Sequence, residues 1–314
     1  MGKKARLRKT RELLDSENSN LAPTSGINIK IPAYIKKTIV FILLLIVFML
    51  GAFLRVHNLY NVDNRSPDER VYTNQATIIT AQGWGVAKQL VREHGANKML
   101  WLYPPPTRIG YLYLLSGLMK TLKSTDVLVG SYISCAFSIL GLGLIVLMGL
   151  RFFNLPITLY ALLFMSVSPV DLAVARRTWQ DAMVGCMGLL LIYLCCEIAR
   201  SPRRIIWYPI FVIMGSYFML VKESGAVIYG LCIIWIMWIL LIKKKKFLEG
   251  LGFVALNALG AGLSIYALSC AIGGLPAAAE VLRHLKEGIP SNAYALEYQT
   301  GPWHIFIASF WAII

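Results

Sequence analysis

Between residues 205 and 242 the sequence is apolar almost without pause, broken chiefly by Lys222-Glu223-Ser224-Gly225. Read as one helix, these 38 residues would measure about 57 Å, nearly twice the ~30 Å hydrocarbon core of a bilayer. The stretch must fold back, and the charged pair followed by Ser-Gly is the place for it. Further apolar runs occupy 39–54, 127–150, 156–175, 182–199 and 247–273. Inside hydrocarbon each backbone N–H and C=O must be satisfied within the chain, so runs of this length are expected as helices. The predicted fold is an all-α polytopic transmembrane bundle of about seven full spans plus a partial one at the C-terminus. Composition agrees. Only 15% of residues are charged and the mean hydropathy is +0.61, where a soluble domain carries about 25% charge.

A net charge of +15 raises the question of nucleic acid, but its placement argues against that partner. Net charges of six in 1–37, three in 200–204 and four in 243–246, together with Arg151, account for all but one of the excess. Basic clusters confined to short segments between apolar runs follow the positive-inside rule. A nucleic-acid binder gathers its charge on one soluble face. The N-terminus is therefore expected in the cytoplasm, and the long connection 55–126 on the opposite side.

Residues 1–35 read as a disordered basic cytoplasmic tail, and 36–303 as the transmembrane module. Its outer loops are expected at about 55–126, 169–181, 221–225 and 274–302. The first outer loop holds Asp68, Glu69, Arg70, Lys88, Arg92, Glu93, Lys98 and Arg108. Burying even two such charges against lipid would cost roughly 5–7 kcal/mol, so the loop is expected to carry short interfacial helices instead. Residues 109–122 read as interfacial or re-entrant, with a short span as the alternative. Residues 277–286 are amphipathic, and Trp303 is suited to the interface. The run 304–314 is too short to span and reads as the start of a further helix. The first apolar run lacks a small-residue cleavage site and is an anchor, not a signal peptide. The six cysteines lie inside apolar runs and read as packing residues. The four histidines show no metal spacing.

Three outer connections place acid beside base. In Ser66-Pro67-Asp68-Glu69, Ser at N-cap, Pro at N1 and Glu at N3 form a capping box, which predicts a helix start. Asp68 and Glu69 then either complement the helix's positive end or provide a general base, with Tyr72 one turn on. In Arg176-Arg177-Thr178-Trp179-Gln180-Asp181, Arg177 and Asp181 are spaced for a helical ion pair. The arginine fork equally suits phosphate oxygens, with Asp181 as its support or as a ligand to a divalent ion. Lys222-Glu223 is either a snorkelling pair or a substrate-path pair. Tyr103-Pro104-Pro105-Pro106 reads as a rigid turn into the next helix.

In this order and topology the chain resembles the GT-C superfamily of integral-membrane glycosyltransferases, in particular its family 39-like branch of protein O-mannosyltransferases and aminoarabinose transferases. The resemblance covers about residues 36–303. It is carried by Arg55 and Asp68-Glu69-x-x-Tyr72, by Tyr103-Pro104-Pro105 before an aromatic helix, by Ser168-Pro169 with Arg176, Arg177 and Asp181, and by Lys222-Glu223-Ser224-Gly225. It implies an inverting transfer of sugar from a polyprenyl-phosphate donor to a lipid, protein or polysaccharide acceptor at the outer membrane face. By match, Asp68 would be the base and Glu69 its partner, while Arg176, Arg177 and Lys222 would hold the donor phosphate. Tyr72, Tyr103, Asp181 and Glu223 would support them. Tyr103 stands where the family usually has His or Lys. Some relatives use a divalent metal ion, for which Asp68 and Asp181 would be the ligands. The rival expectations are a transporter or flippase, and a non-catalytic subunit of a membrane complex.

Overall fold

The computed structural model describes residues 33–62, 64–200 and 205–288. The chain divides into Met1–Ile42 and Leu43–Ile314. All contacts described below lie within the second unit. Most of the basic tail, Arg203 and Arg204, Trp303 and the run 304–314 fall outside the described residues.

Twelve α-helices follow one another with no strand among the described residues: α1 (Ala33–Val56), α2 (Pro67–Gln82), α3 (Ala87–Ala96), α4 (Ile109–Leu122), α5 (Leu128–Phe152), α6 (Leu155–Val167), α7 (Pro169–Ala175), α8 (Asp181–Arg200), α9 (Trp207–Val221), α10 (Glu223–Trp238), α11 (Phe247–Ile272) and α12 (Leu275–Gly288). Five helical segments, those of α1, α5, α8, α10 and α11, are long and apolar enough to cross a membrane; α6 and α7, bent by 59°, make a sixth if taken as one span. α11 exposes Leu251, Leu259, Leu263 and Tyr266, and α6 exposes Tyr160 and Phe164, faces that only lipid would tolerate in such number. The protein is an all-helical membrane protein.

Seven full spans were expected, and the difference lies in two elements. α9 has 15 residues, about 22 Å, which is short of a ~30 Å core. The run 156–175 is divided at Ser168-Pro169. Proline has no N–H to give the carbonyl four residues back, so Met165 loses its helical donor. Arg55, fully buried near the end of α1, supplies the replacement: its Nη2 donates to Met165 O at 2.9 Å and its Nη1 to Ser166 O at 3.3 Å. The same guanidinium pairs with Asp171 and donates from Nε to Ser138 Oγ at 2.5 Å. Expected as an outer flank of the first span, Arg55 instead joins α1, α5 and the α6–α7 break.

The expected fold-back after α9 occurs at Lys222 alone. α9 and α10 form an antiparallel hairpin, with the Phe211 and Tyr229 ring centroids 5.4 Å apart. It closes because residue 225 is glycine, where a Cβ would lie 2.4 Å from Phe218 O. α4, with 14 residues, is not among the helices long enough to cross a membrane. Its Tyr111, Leu112 and Leu115 are fully buried in the main core, with Tyr72, Ala76 and Ile79 of α2 and Phe218 and Val221 of α9. α12 takes up the expected amphipathic segment and packs against the α3 region, where His284 stacks on Trp101 at 4.0 Å.

The helix directions give the bundle two distinct ends. One carries Arg151, whose Nε meets the buried Glu197 carboxylate at 2.6 Å, with Arg200 donating to Arg151 O and Lys244 to Ala199 O. The other gathers the starts of α2, α4, α8 and α10.

Candidate functional site

The second end is built from the first turn of α2. Ser66 caps it as the sequence predicts, its Oγ accepting from Glu69 N at 3.4 Å while Glu69 Oε2 accepts from Ser66 N at 2.8 Å. Glu69 is fully buried and meets other partners there. Arg65 Nη1 lies at 2.8 Å, Thr178 N at 2.9 Å and Arg177 Nη1 at 3.1 Å. With four donors on its two oxygens the carboxylate is saturated. Trp179 Nε1 adds a bond to Ser66 Oγ at 3.0 Å. The loop before α8 is thus clamped to α2, and it lies close to α5 because residue 130 of that helix is glycine: a Cβ there would come within 2.0 Å of Thr178 Cγ2.

This clamp absorbs several residues expected at the site. Arg177 is held by Glu69, by the Asn64 carbonyl at 3.1 Å, and over the Trp179 ring. Arg176 donates to the Asn58 carbonyl at 2.7 Å. Glu69, Arg176 and Arg177 therefore hold the loop together instead of facing a common void with Lys222.

Asp68 differs in every respect. It is half-buried, and no hydrogen bond or ion pair holds its carboxylate among the described residues. Burial raises its pKa above the ordinary aspartate value; Arg108 and Lys222 pull it back, and Asp181 and Glu69 add to the rise. Around it converge three other connections. Lys222, the single residue between α9 and α10, donates from Nζ to Asp181 Oδ1 at 2.6 Å. Asp181 opens α8 and Glu223 opens α10. Arg108, directly before α4, sets Nε and Nη2 on Glu223 Oε2 at 3.2 and 3.0 Å and donates from Nη1 to the Tyr72 hydroxyl. Tyr72 is buried and packs edge-on against Tyr111; burial holds its phenol protonated, far above its ordinary pKa.

Asp68, Tyr72, Asp181, Lys222 and Glu223 are accordingly brought together. Arg108 is the residue that the sequence reading missed; it stood there only as one charge of a long loop. Its signal was its position, at the end of a rigid Pro-rich turn and the start of an apolar helix. Tyr103 lies elsewhere, in a hollow beside α3 with His94.

The chemistry available is that of an anion held beside a free carboxylate. Lys222 uses one of its three N–H donors on Asp181, leaving two. The donor set does not fit a resident divalent ion: Asp181 already carries an ammonium, and no three His, Cys, Asp or Glu side chains gather as ligands among the described residues. Compared with protein-family models, with curated proteins and with solved structures, the chain matches none.

Proposed function

We propose that the protein is a glycosyltransferase that moves a sugar from a polyprenyl-phosphate donor to an acceptor hydroxyl or amine, with inversion, using Asp68 as general base. The observation that carries this reading is the contrast among the clustered carboxylates. Glu69, Asp181 and Glu223 each have a cationic partner, whereas Asp68 has none while lying in the field of two cations. An unpaired, partly desolvated carboxylate is suited to take a proton.

In the step we propose, the acceptor oxygen or nitrogen forms a bond to the sugar's anomeric carbon and gives its proton to Asp68. The bond from that carbon to the phosphate oxygen breaks, and its electron pair leaves with the polyprenyl phosphate. Lys222 and Arg108 stabilise the charge growing on the phosphate. Glu223 and Tyr72 orient Arg108, and Asp181 orients Lys222. A polyprenyl donor dissolves in the bilayer, which confines its phosphate to the interface where the ends of α8, α9 and α10 meet. Because Arg151, Arg200 and lysines 243–246 occupy the opposite end of the bundle, we place the site on the extracytoplasmic face.

The test is transfer by purified full-length protein given polyprenyl-phosphate sugars and a cell-envelope extract, with products read by mass spectrometry. Asp68→Asn should lower transfer at least ~100-fold, the usual worth of a general base, with membrane accumulation unchanged. Transfer at the wild-type rate in that variant would remove Asp68 from the mechanism. The rate should fall on the acid side through an apparent pKa above that of an ordinary aspartate, because the base must be ionised and burial raises its pKa.

A further inference from the structure

α9 and α11 both begin at the basic end of the bundle, α11 directly after lysines 243–246. A groove of about 520 Å³ runs between their first turns, a size within the ~300–1,000 Å³ range of ligand sites. It takes no part in the step above. Glu249, Phe253 and Leu256 of α11 line it, with Lys246 at its mouth; spacings of four and three residues put the first three on one helix face. From Lys246 to Leu256 the lining descends about 15 Å, half of a ~30 Å hydrocarbon core. Ile205 and Tyr208, at the start of α9, make the facing wall, and the Tyr208 and Phe253 rings meet at 5.6 Å. One turn past Leu256 the helices close, and a Cβ on Gly260 would come within 2.4 Å of Val212 Cγ1. The groove is thus polar at the membrane surface, apolar below and one leaflet deep.

Its mouth holds cationic donors that the fold leaves unspent. Lys246, 38% exposed, sets Nζ on Glu249 Oε2 at 2.5 Å, which uses one of its three N–H groups and leaves two. Glu249 is itself taken up, since its Oε1 accepts from the Tyr208 hydroxyl at 2.6 Å; it holds Lys246 in place. Lys244, whose Nζ donates to the Ala199 carbonyl, stands near both. Burial and then the charge of Lys246 lower the pKa of Lys244, and Glu249 offsets only part of the fall. Lysines 243–246 and Glu249 together carry +3, four cations less one carboxylate. An anion at the mouth would offset that charge. A neutral lipid would leave it unmet, and the N-terminal segment 1–37, itself net +6, would add to it.

We propose that this groove binds one anionic phospholipid of the adjacent leaflet, its phosphate on Lys246 and Lys244 and an acyl chain along Phe253 and Leu256. The proposal rests on the membrane nature of the fold and not on sugar transfer.

Native mass spectrometry of the full-length protein released from detergent micelles tests it, with phosphatidylglycerol and phosphatidylcholine of the same acyl chains as probes. One phosphatidylglycerol is expected to stay bound at a concentration at least tenfold below that needed for phosphatidylcholine. Lys246→Gln should narrow that preference about fivefold, the worth of one lysine beside an anionic lipid. Gly252 lies in the wall of the groove, and a Cβ there meets nothing within 4 Å. Gly252→Leu should therefore fill the groove and cut the retained phosphatidylglycerol at least fivefold, with thermal unfolding unchanged. Glycerol phosphate at the same concentration should not displace the lipid. Equal retention of the two lipids, an unchanged preference in Lys246→Gln, or wild-type retention in folded Gly252→Leu would overturn the proposal. So would a lipid-free dimer, which would assign the groove to a second copy, or displacement by glycerol phosphate, which would assign the lysines to a soluble phosphate.

Discussion

Asp68 and Glu69 are neighbours on the first turn of α2, and the sequence offers them as equals. The fold separates them. Glu69 turns inward and is saturated by Arg65, Arg177 and two backbone amides; Asp68 stays half-buried and unpaired. Two stability outcomes follow. Glu69→Gln should lower stability by about 1.5–3 kcal/mol, the range for hydrogen bonds to a charged group, seen as earlier thermal unfolding in detergent. Asp68→Asn should unfold no earlier than wild type at neutral pH. A carboxyl whose pKa is raised by burial favours folding when protonated, and that contribution is lost as pH rises through the folded-state value. The advantage of the variant should therefore shrink as the pH falls below that value. Earlier unfolding of Asp68→Asn at neutral pH would mean the carboxylate has a stabilising partner. Arg108 was legible only as a charge, because its partners Tyr72 and Glu223 lie 36 and 115 residues away.

Helix starts were the most legible elements. The capping box at Ser66 with Pro67 at N1 is a local signal, and local hydrogen bonding decides where such a helix begins. The fold-back near Lys222 was legible in place; the break at Ser168-Pro169, inside a run expected as one span, was not. The missing N–H of Pro169 explains the interruption, but nothing local foretells that an arginine 114 positions earlier in the chain satisfies the freed carbonyls. Arg55→Leu should cost about 3–5 kcal/mol, since it takes the cation from Asp171 and the donors from the carbonyls of the break; chemical unfolding in mild detergent would measure it. At the other hairpin, Gly225→Ala sets a methyl against the Phe218 carbonyl. The expected cost is about 1–3 kcal/mol of overpacking. Because Lys222 and Glu223 flank this turn, sugar transfer should fall more than stability does. An unchanged rate would mean the turn tolerates the shift without moving Lys222.

At the scale of the whole molecule the charges sort by end, with Arg151, Arg200 and lysines 243–246 at one and the Asp68 cluster at the other. This polarity makes the orientation testable. In a cysteine-free background, a membrane-impermeant thiol reagent applied to intact cells should label Asn74→Cys and leave Lys245→Cys unlabelled until the membrane is opened. The reverse pattern would place the site in the cytoplasm and remove the case for a donor presented on the outer leaflet.

The sequence alone determined the helical class, the membrane, the fold-back near Lys222 and the grouping of acid with base in three connections. All of these follow from properties of short segments: the length of an apolar run, the lack of an N–H on proline, the distribution of lysine and arginine. The tertiary structure decided which charges are free to act. A salt bridge joins residues distant in the chain, and whether a carboxylate is paired depends on what the packing brings beside it. For that reason Glu69, Arg176 and Arg177 became a clamp, Arg108 joined the site, and Asp68 was left unpaired among the cations.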